Sequence, residues 1–153
     1  MRTIHQWLDE YGSSHRNHTN KLIHWVCVPA IFFSIVGFLY AIKLPVAGFR
    51  MVLSVAHIVL LLLILYYARL SPSLAAGMLI IGILCLWGWR MIAIAEIVVW
   101  QAALVIFVLA WIGQFIGHKI EGAKPSFFKD LQFLLIGPAW LLSFIYKKAG
   151  IKL

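Results

Sequence analysis

Long uncharged runs of apolar residues alternate with short polar breaks along the whole chain. Five runs can be counted, over residues 25–42, 51–68, 70–89, 97–117 and 131–146. A helix that crosses a bilayer needs about 20 apolar residues, with roughly 17 as the lower limit. The first four runs are long enough and the fifth is marginal. We therefore expect an all-α polytopic membrane helical bundle with four transmembrane helices.

The fifth run decides how often the chain crosses the membrane. Gly137 and Pro138 lie in its middle, and this pair breaks a helix that is already short. If the run does not cross, the lysines of the tail join the same side as the N-terminus and give that side a clear excess of positive charge. We therefore expect a short re-entrant or interfacial C-terminal helix, with a fifth span as the alternative, and both termini in the cytoplasm.

Composition supports a membrane protein. Hydrophobic residues make up 63% of the chain and charged residues 12%, with a mean hydropathy of +0.96, against roughly 45–50% and about 25% in soluble domains. This excludes a soluble enzyme, a disordered tail and a disulfide scaffold. The net charge of +8 is spread over the loops, which favours anionic lipid as a partner over nucleic acid. We expect one multi-pass membrane domain, residues 1–153.

Polar residues collect first in the N-terminal segment, residues 1–24, which we expect at the membrane interface. Its second half carries the sequence HRNHTNKLIH. A helix that starts near Ser14, capped by Ser13 or Ser14, would place Asn17, Asn20 and His24 on one face. A strip of amides and imidazole that enters the membrane needs partners inside the protein.

A second polar group lies at the end of the fourth run. Trp111, Gln114, His118 and Glu121 have helical spacing and share one stripe. Polar side chains at the end of a span are costly unless they face the protein interior, so we expect this stripe to point inward. Since four crossings separate the two groups, both emerge on the same side of the bilayer and can meet.

Two helices that bring imidazoles, with amides and a carboxylate in support, have the ingredients of a non-haem metal centre. The alternative is an interfacial band that binds lipid headgroups and caps the helices, and spacing alone leaves both open. His18 lies off the stripe of its helix and is a reserve ligand. His57, a single imidazole in an apolar run, is more typical of a hydrogen-bonded core residue.

The elements HRNxxNKxxHWxxxP, from His15 to Pro29, and WxxQFxGHxxEGxxP, from Trp111 to Pro125, closely resemble a family of small membrane proteins. This family includes a fungal endoplasmic-reticulum 2-hydroxy fatty acid dioxygenase. The resemblance implies an Fe(II)-dependent enzyme that takes a 2-hydroxy fatty acid and O2 and yields a fatty acid one carbon shorter. It also implies His15, His24 and His118 as iron ligands.

Other positions of the two elements match residues that accompany the iron in the family. The resemblance implies catalytic roles for Asn20, Gln114 and Glu121. Family members often have a further histidine near the fourth span, and this chain has none between Gln101 and Gly117. The number of ligands is therefore open, with His18, His57 or Glu121 as substitutes.

The neighbouring cations Arg16, Lys21 and Lys119 are candidates to hold the substrate carboxylate. The expected setting is the bacterial inner membrane, or the endoplasmic reticulum in a eukaryote, with membrane lipid as a partner and a homo-oligomer as an option. Two other functions stay open, namely a non-catalytic lipid-binding or assembly protein and a zinc-dependent lipid hydrolase.

Overall fold

The computed structural model describes residues 3–13, 17–45, 53–122 and 136–153, and nearly all of this part of the chain is helical. The helices are α1 (Ile4–Ser13), α2 (His18–Ala41), α3 (Val55–Leu70), α4 (Pro72–Ile94), α5 (Val99–Glu121) and α6 (Ile136–Ala149). Between α2 and α3 the short strands β1 (Lys43–Leu44) and β2 (Leu53–Ser54) form an antiparallel pair. The expected all-α class is therefore confirmed, and the short pair of strands is a small addition to it.

Three helices, α2, α4 and α5, are long and apolar enough to cross a membrane. The fourth expected span is represented by α3, an apolar helix of only 16 residues. It starts later than its apolar run because Leu53 and Ser54 pair with β1, and Ser54 then caps the helix. The described helices fit a membrane protein, and the expected count of four spans is not confirmed.

The start of α2 differs from the prediction. Asn17 is the N-cap, with backbone angles outside the helical region, and its Oδ1 accepts hydrogen bonds from the amides of Thr19 at 2.9 Å and Asn20 at 3.3 Å. The expected start near Ser14 is therefore wrong, because the cap lies at Asn17 instead. Asn17 does not share the buried face of α2 with Asn20 and His24.

The largest helix contact joins α2 and α5, which run antiparallel. Gly113 of α5 faces Cys27 of α2, and Gly117 faces Asn20 so closely that a Cβ on either glycine would collide with these side chains. Small residues four positions apart let two membrane helices approach each other. The spacing Gly-x-x-x-Gly in α5 therefore sets how closely the two helices pack.

On its other side α2 packs against α4, which runs in the same direction. The fully buried Trp89 stacks on Phe33 with ring centroids 4.5 Å apart, and its Nε1 donates to the Phe33 carbonyl at 2.8 Å. Ser71 joins α3 to α4 and caps α4 by accepting from the Leu74 amide. The helices α2 and α4 begin, and α5 ends, at the same end of the bundle, which we call the proximal end. We call the opposite end the distal end.

The C-terminal helix α6 runs antiparallel to α4. The Tyr146 hydroxyl donates to the Ser73 carbonyl at 2.7 Å, and Gly137 at the other end of α6 faces Val28. α6 therefore lies against the proximal half of the bundle, and its C-terminal end points to the proximal end. The described helix runs from Ile136 through Pro138 to Ala149, so the expected break at Gly137 and Pro138 is not found within these residues.

The N-terminal helix α1 packs on α6. Its buried side chains are Ile4, Leu8 and Tyr11, and the Tyr11 ring meets the Trp140 ring edge-on at 5.1 Å. The apolar face of this amphipathic helix therefore contacts protein. Both cysteines, Cys27 and Cys85, are buried and not joined in a disulfide.

We expect Gly117→Ala to destabilise the protein by about 1–3 kcal/mol, because the added Cβ overpacks the contact with Asn20. The matched control is Gly82→Ala in α4, whose Cβ would meet Leu60 at an ordinary 3.6 Å. Thermal unfolding of both variants in detergent micelles measures the difference. Equal stability of the two variants would mean that the α2–α5 contact tolerates a methyl group.

Candidate metal centre

Two buried histidines meet where α2 and α5 pack at the proximal end. His24 is 1% exposed and His118 is 6% exposed. Their ring centroids are 5.3 Å apart and the ring planes are nearly perpendicular, at 89°. The sequence places these residues 94 positions apart, and the antiparallel packing of two helices brings them together. The two predicted groups of polar residues therefore do meet.

The His24 ring is held by its own helix. Its Nδ1 lies 2.9 Å from the Asn20 carbonyl oxygen. Because a carbonyl only accepts, Nδ1 carries the hydrogen and the neutral ring has its lone pair on Nε2. Histidines that bind metals usually donate their second N–H in this way, which fixes the tautomer and the ring orientation.

Glu121, at the end of α5, binds the start of α2. Its two carboxylate oxygens accept from the Asn17 amide at 3.1 and 3.0 Å, and Oε2 also accepts from Asn20 Nδ2 at 2.8 Å. A carboxylate at a helix N-terminus is favoured by the helix dipole and by the unsatisfied amides there. Glu121 therefore joins the two helices beside the histidine pair.

Two amide side chains complete the buried polar cluster. Asn20 is fully buried, and Gln114 is 6% exposed. The Asn20 Oδ1 faces Gly117 and has no hydrogen-bond partner within the part of the chain that the structure describes. A buried amide oxygen without a hydrogen bond costs about 1–3 kcal/mol. This cost marks the cluster as a place where a polar ligand or an ion would be stabilised.

The stripe predicted on α5 does point inward. Trp111, Gln114 and His118 are buried, and Glu121 is half-buried. The opposite face of the helix is exposed, with the side chains of Ile112, Phe115, Ile116 and Lys119. The prediction from helical spacing is confirmed, because this stripe of α5 packs against α2 and the opposite face of the helix is exposed.

The remaining predicted residues lie in different places. His15 and Arg16 fall outside the described residues. Lys21 is half-buried on α2, three residues before His24, whereas Lys119 is exposed. His18 is also exposed, in the first turn of α2.

His57 lies at the distal end, in the first turn of α3. Its Nδ1 accepts from the Ser54 amide at 3.2 Å and lies 2.9 Å from the Ser54 hydroxyl. The prediction that His57 could be a substitute metal ligand is therefore wrong, because α3 begins at the end of the bundle opposite His24. The alternative interpretation, a hydrogen-bonded structural residue, is confirmed.

Sequence reasoning missed the part that three residues play in the site, namely Asn17, Gly113 and Gly117. Helical spacing predicts Asn17 on the inward face of the helix, although an Asn directly before a helix is a signal for an N-cap. Gly113 and Gly117 carry the spacing that membrane helices use for close contact. Asn17 touches the cluster at Glu121, Gly117 touches it at Asn20, and Gly113 packs beside it at Cys27. The spacing of polar residues does not reveal these packing and backbone contacts.

The histidine pair is compatible with a metal ion. Two imidazoles on one ion, with bonds of about 2.1 Å, have ring centroids roughly 4.5–5.5 Å apart, and the observed separation of 5.3 Å lies within this range. Within residues 3–13, 17–45, 53–122 and 136–153, His, Cys, Asp and Glu side chains do not form a group of three that could hold a metal. A third ligand of one of these four residue types would have to come from the rest of the chain, which includes His15.

Two comparisons with known proteins find relatives of this chain. The chain matches the family described as "2-hydroxy-palmitic acid dioxygenase Mpo1-like" over residues 1–149. It is also 29% identical to the 2-hydroxy-palmitic acid dioxygenase MPO1 of Saccharomyces cerevisiae over 140 residues, which cover 90% of this chain and 76% of the yeast protein. No solved structure is significantly similar to this chain. With its match over nearly the full length, the chain belongs to the Mpo1-like family.

Proposed function

We propose that the protein is an Fe(II)-dependent dioxygenase that converts a 2-hydroxy fatty acid and O2 into a fatty acid one carbon shorter, CO2 and water. The main support is the buried pair of His24 and His118, which come from the two sequence elements that resemble the family. The family match and the activity named for the yeast relative support the substrate class. The apolar helices support a membrane setting for a lipid substrate.

In this proposal His24 and His118 hold the iron together with His15. The hydrogen bond from His24 Nδ1 to the Asn20 carbonyl leaves Nε2 as the ligand atom. Bound iron supplies the one-electron chemistry with O2 that amino-acid side chains lack. Asn20 and Gln114 then act as polar neighbours that orient the substrate head, and Glu121 keeps the two ligand helices in register.

The substrate carboxylate needs a cation close to the histidines. Lys21 fits this role best, because it is half-buried and lies one helical turn before His24 on the surface of α2. Arg16 precedes the same helix and is a second candidate. Lys119 is exposed on the outer side of α5, so it would act on a substrate that approaches from outside. In the membrane, with both termini cytoplasmic, these cations would face the anionic leaflet.

The protein purified without oxygen should carry about one iron per chain. His24→Ala and His118→Ala should each lose the iron and the O2 consumption that depends on 2-hydroxypalmitate, because each variant removes one of the three proposed ligands. Elemental analysis and an oxygen electrode measure the two quantities. His57→Ala, which removes an imidazole at the distal end, is the control and should keep both. Zinc in place of iron, or activity in either ligand variant, would contradict the proposal.

Glu121→Gln should weaken iron binding by about 10–100-fold, as is typical when a residue that supports metal ligands is changed. Gln keeps the size of the side chain but offers one acceptor oxygen in place of the two that bind Asn17 and Asn20. Competition with a chelator gives the affinity. The control is Glu96→Gln, the same chemical change at an exposed site after α4. Unchanged affinity in Glu121→Gln would remove the role of Glu121 in the site.

Lys21→Gln should raise the KM for 2-hydroxypalmitate by about tenfold, which corresponds to the loss of one charged hydrogen bond. Lys21→Arg should restore most of the affinity, because it retains the cation. Steady-state O2 consumption at varied substrate concentration provides the measurement. Lys148→Gln, an exposed lysine near the C-terminal end of α6, controls for the loss of one positive charge. Equal KM values in the two glutamine variants would exclude Lys21 as the carboxylate site.

A further inference from the structure

Positively charged side chains gather at the proximal end of the bundle. Of the eight lysines and arginines in the described ranges, two lie at the distal end, Lys43 and Arg90. The other six lie at the start of α2, at the ends of α3 and α5, or at the C-terminal end of α6 and just beyond it, namely Lys21, Arg69, Lys119, Lys147, Lys148 and Lys152. The cations are spread along the sequence, and the alternating directions of the helices collect most of them at one end.

The carboxylates of the described ranges do not balance this charge. Glu121 accepts hydrogen bonds from the start of α2, and Glu96 lies at the distal end. Asp9 and Glu10 belong to α1, which packs on α6 at Trp140. The proximal end therefore carries an excess of positive charge within the part of the chain that the structure describes.

Ser73, in the first turn of α4, brings three of the proximal cations together. Its Oγ donates to the Lys152 carbonyl at 2.7 Å. Its carbonyl accepts from the Tyr146 hydroxyl at 2.7 Å, next to Lys147. Arg69 lies in the last turn of α3, four residues before Ser73. We call Arg69, Lys147 and Lys152 the basic patch, and all three residues are exposed.

A turn at Gly150 holds Lys152 in the basic patch. The φ of Gly150 is 71°, in the left-handed region that glycine adopts without strain, and the Ile151 amide donates to the Tyr146 carbonyl at 2.9 Å. Leu153 then packs, half-buried, against the apolar core. The chain after α6 therefore turns back over the start of α4 and keeps its lysine beside the end of α3.

Exposed apolar side chains lie next to the basic patch on its distal side. They include Leu65 and Tyr66 of α3 and Phe144 of α6. The three residues from Phe144 to Lys147 and the four from Leu65 to Arg69 correspond to about 4.5 and 6 Å along a helix axis. Cations at this height above an apolar surface are typical of side chains at the level of lipid headgroups.

The distal end has a different surface. The Lys43 Nζ lies 3.5 Å from the centre of the Tyr40 ring, so this cation has an aromatic partner within the protein. The exposed aromatic residues Trp87 and Trp100 lie near this end, and tryptophan is common at membrane interfaces on either side of a bilayer. The difference in charge therefore favours the proximal end as the end that faces anionic lipid.

We propose that the basic patch binds the phosphate group of an anionic phospholipid in the leaflet at the proximal end, and that the neighbouring apolar side chains contact its acyl chains. Phosphate oxygens accept charge-assisted hydrogen bonds from arginine and lysine. Because Arg69 belongs to α3 whereas Lys147 and Lys152 belong to the C-terminal segment, the bound lipid links this segment to the α3–α4 hairpin. Binding needs neither iron nor a fatty acid substrate, so it is independent of the proposed dioxygenase activity.

Native mass spectrometry of the full-length protein in a non-ionic detergent measures the binding of phosphatidylglycerol and of phosphatidylcholine with the same acyl chains. Phosphatidylglycerol should bind at least tenfold more tightly. Lys147→Gln/Lys152→Gln should lose at least tenfold in affinity for phosphatidylglycerol, because each lysine near an anionic headgroup contributes about fivefold. The matched control, Lys43→Gln/Arg90→Gln, removes two cations at the distal end and should keep the preference. Equal affinity for the two lipids, or an equal loss in both double variants, overturns the proposal.

Thermal unfolding separates lipid binding from an effect on folding. In detergent without lipid the unchanged protein and both double variants should unfold at the same temperature, because the substituted residues are exposed. Phosphatidylglycerol should then raise the Tm of the unchanged protein and of Lys43→Gln/Arg90→Gln, but not that of Lys147→Gln/Lys152→Gln. The same rise of Tm in all three proteins contradicts the proposed contact.

Two further arms test the charge and the source of the phosphate. Lys147→Arg/Lys152→Arg keeps both cations and should retain the binding of phosphatidylglycerol even if the glutamine variant folds poorly. Loss of binding in this arginine variant overturns the proposal. Bound phosphatidylglycerol should resist an excess of inorganic phosphate, because its acyl chains add apolar contacts. Displacement by inorganic phosphate would identify a site for a free anion and overturn the phospholipid as the occupant.

Discussion

Close packing of α2 on α5 is the constraint on which the site depends. Gly117 lets the two helices approach until Asn20 lies against the backbone of α5, and Gly113 does the same at Cys27. This distance brings the His24 and His118 rings within 5.3 Å and lets Glu121 reach the Asn17 amide. A larger residue at either glycine would separate His24 from His118 and Glu121 from Asn17 at once, since a packed helix contact shifts as a unit.

The polar cluster also illustrates how a site between apolar helices keeps its polar groups satisfied. Water is absent from the bilayer core, so each buried donor needs a partner in the protein. The Asn20 backbone carbonyl receives the His24 ring hydrogen, and the Asn20 side chain donates to Glu121. Asn20 thus serves both helices, although its Oδ1 has no hydrogen-bond partner among the described residues. A cluster that is ordered before ligand binding costs little reorganisation when a ligand arrives.

Polar and apolar functions are separated along α2. Its first turns carry Lys21, Asn20 and His24, and the residues that follow provide one wall of an apolar groove. α6 supplies the opposite wall because Tyr146 fixes it to the start of α4 through Ser73. The short C-terminal helix therefore closes one side of this groove in the proximal half of the bundle.

Hydrophobic runs and helical spacing were sufficient to predict the helices, the inward stripe of α5 and the residues that meet in the cluster, because burial against a partner requires a periodic apolar or polar face. The tertiary structure decided the rest. The start of α2 depends on the Asn17 cap and its contact with Glu121, which is 104 residues away, and the length of α3 depends on strand pairing at Ser54. The groove depends on three helices whose relative positions are set by side-chain packing. Spacing along one helix carries no information on that packing, since it is a property of several segments at once.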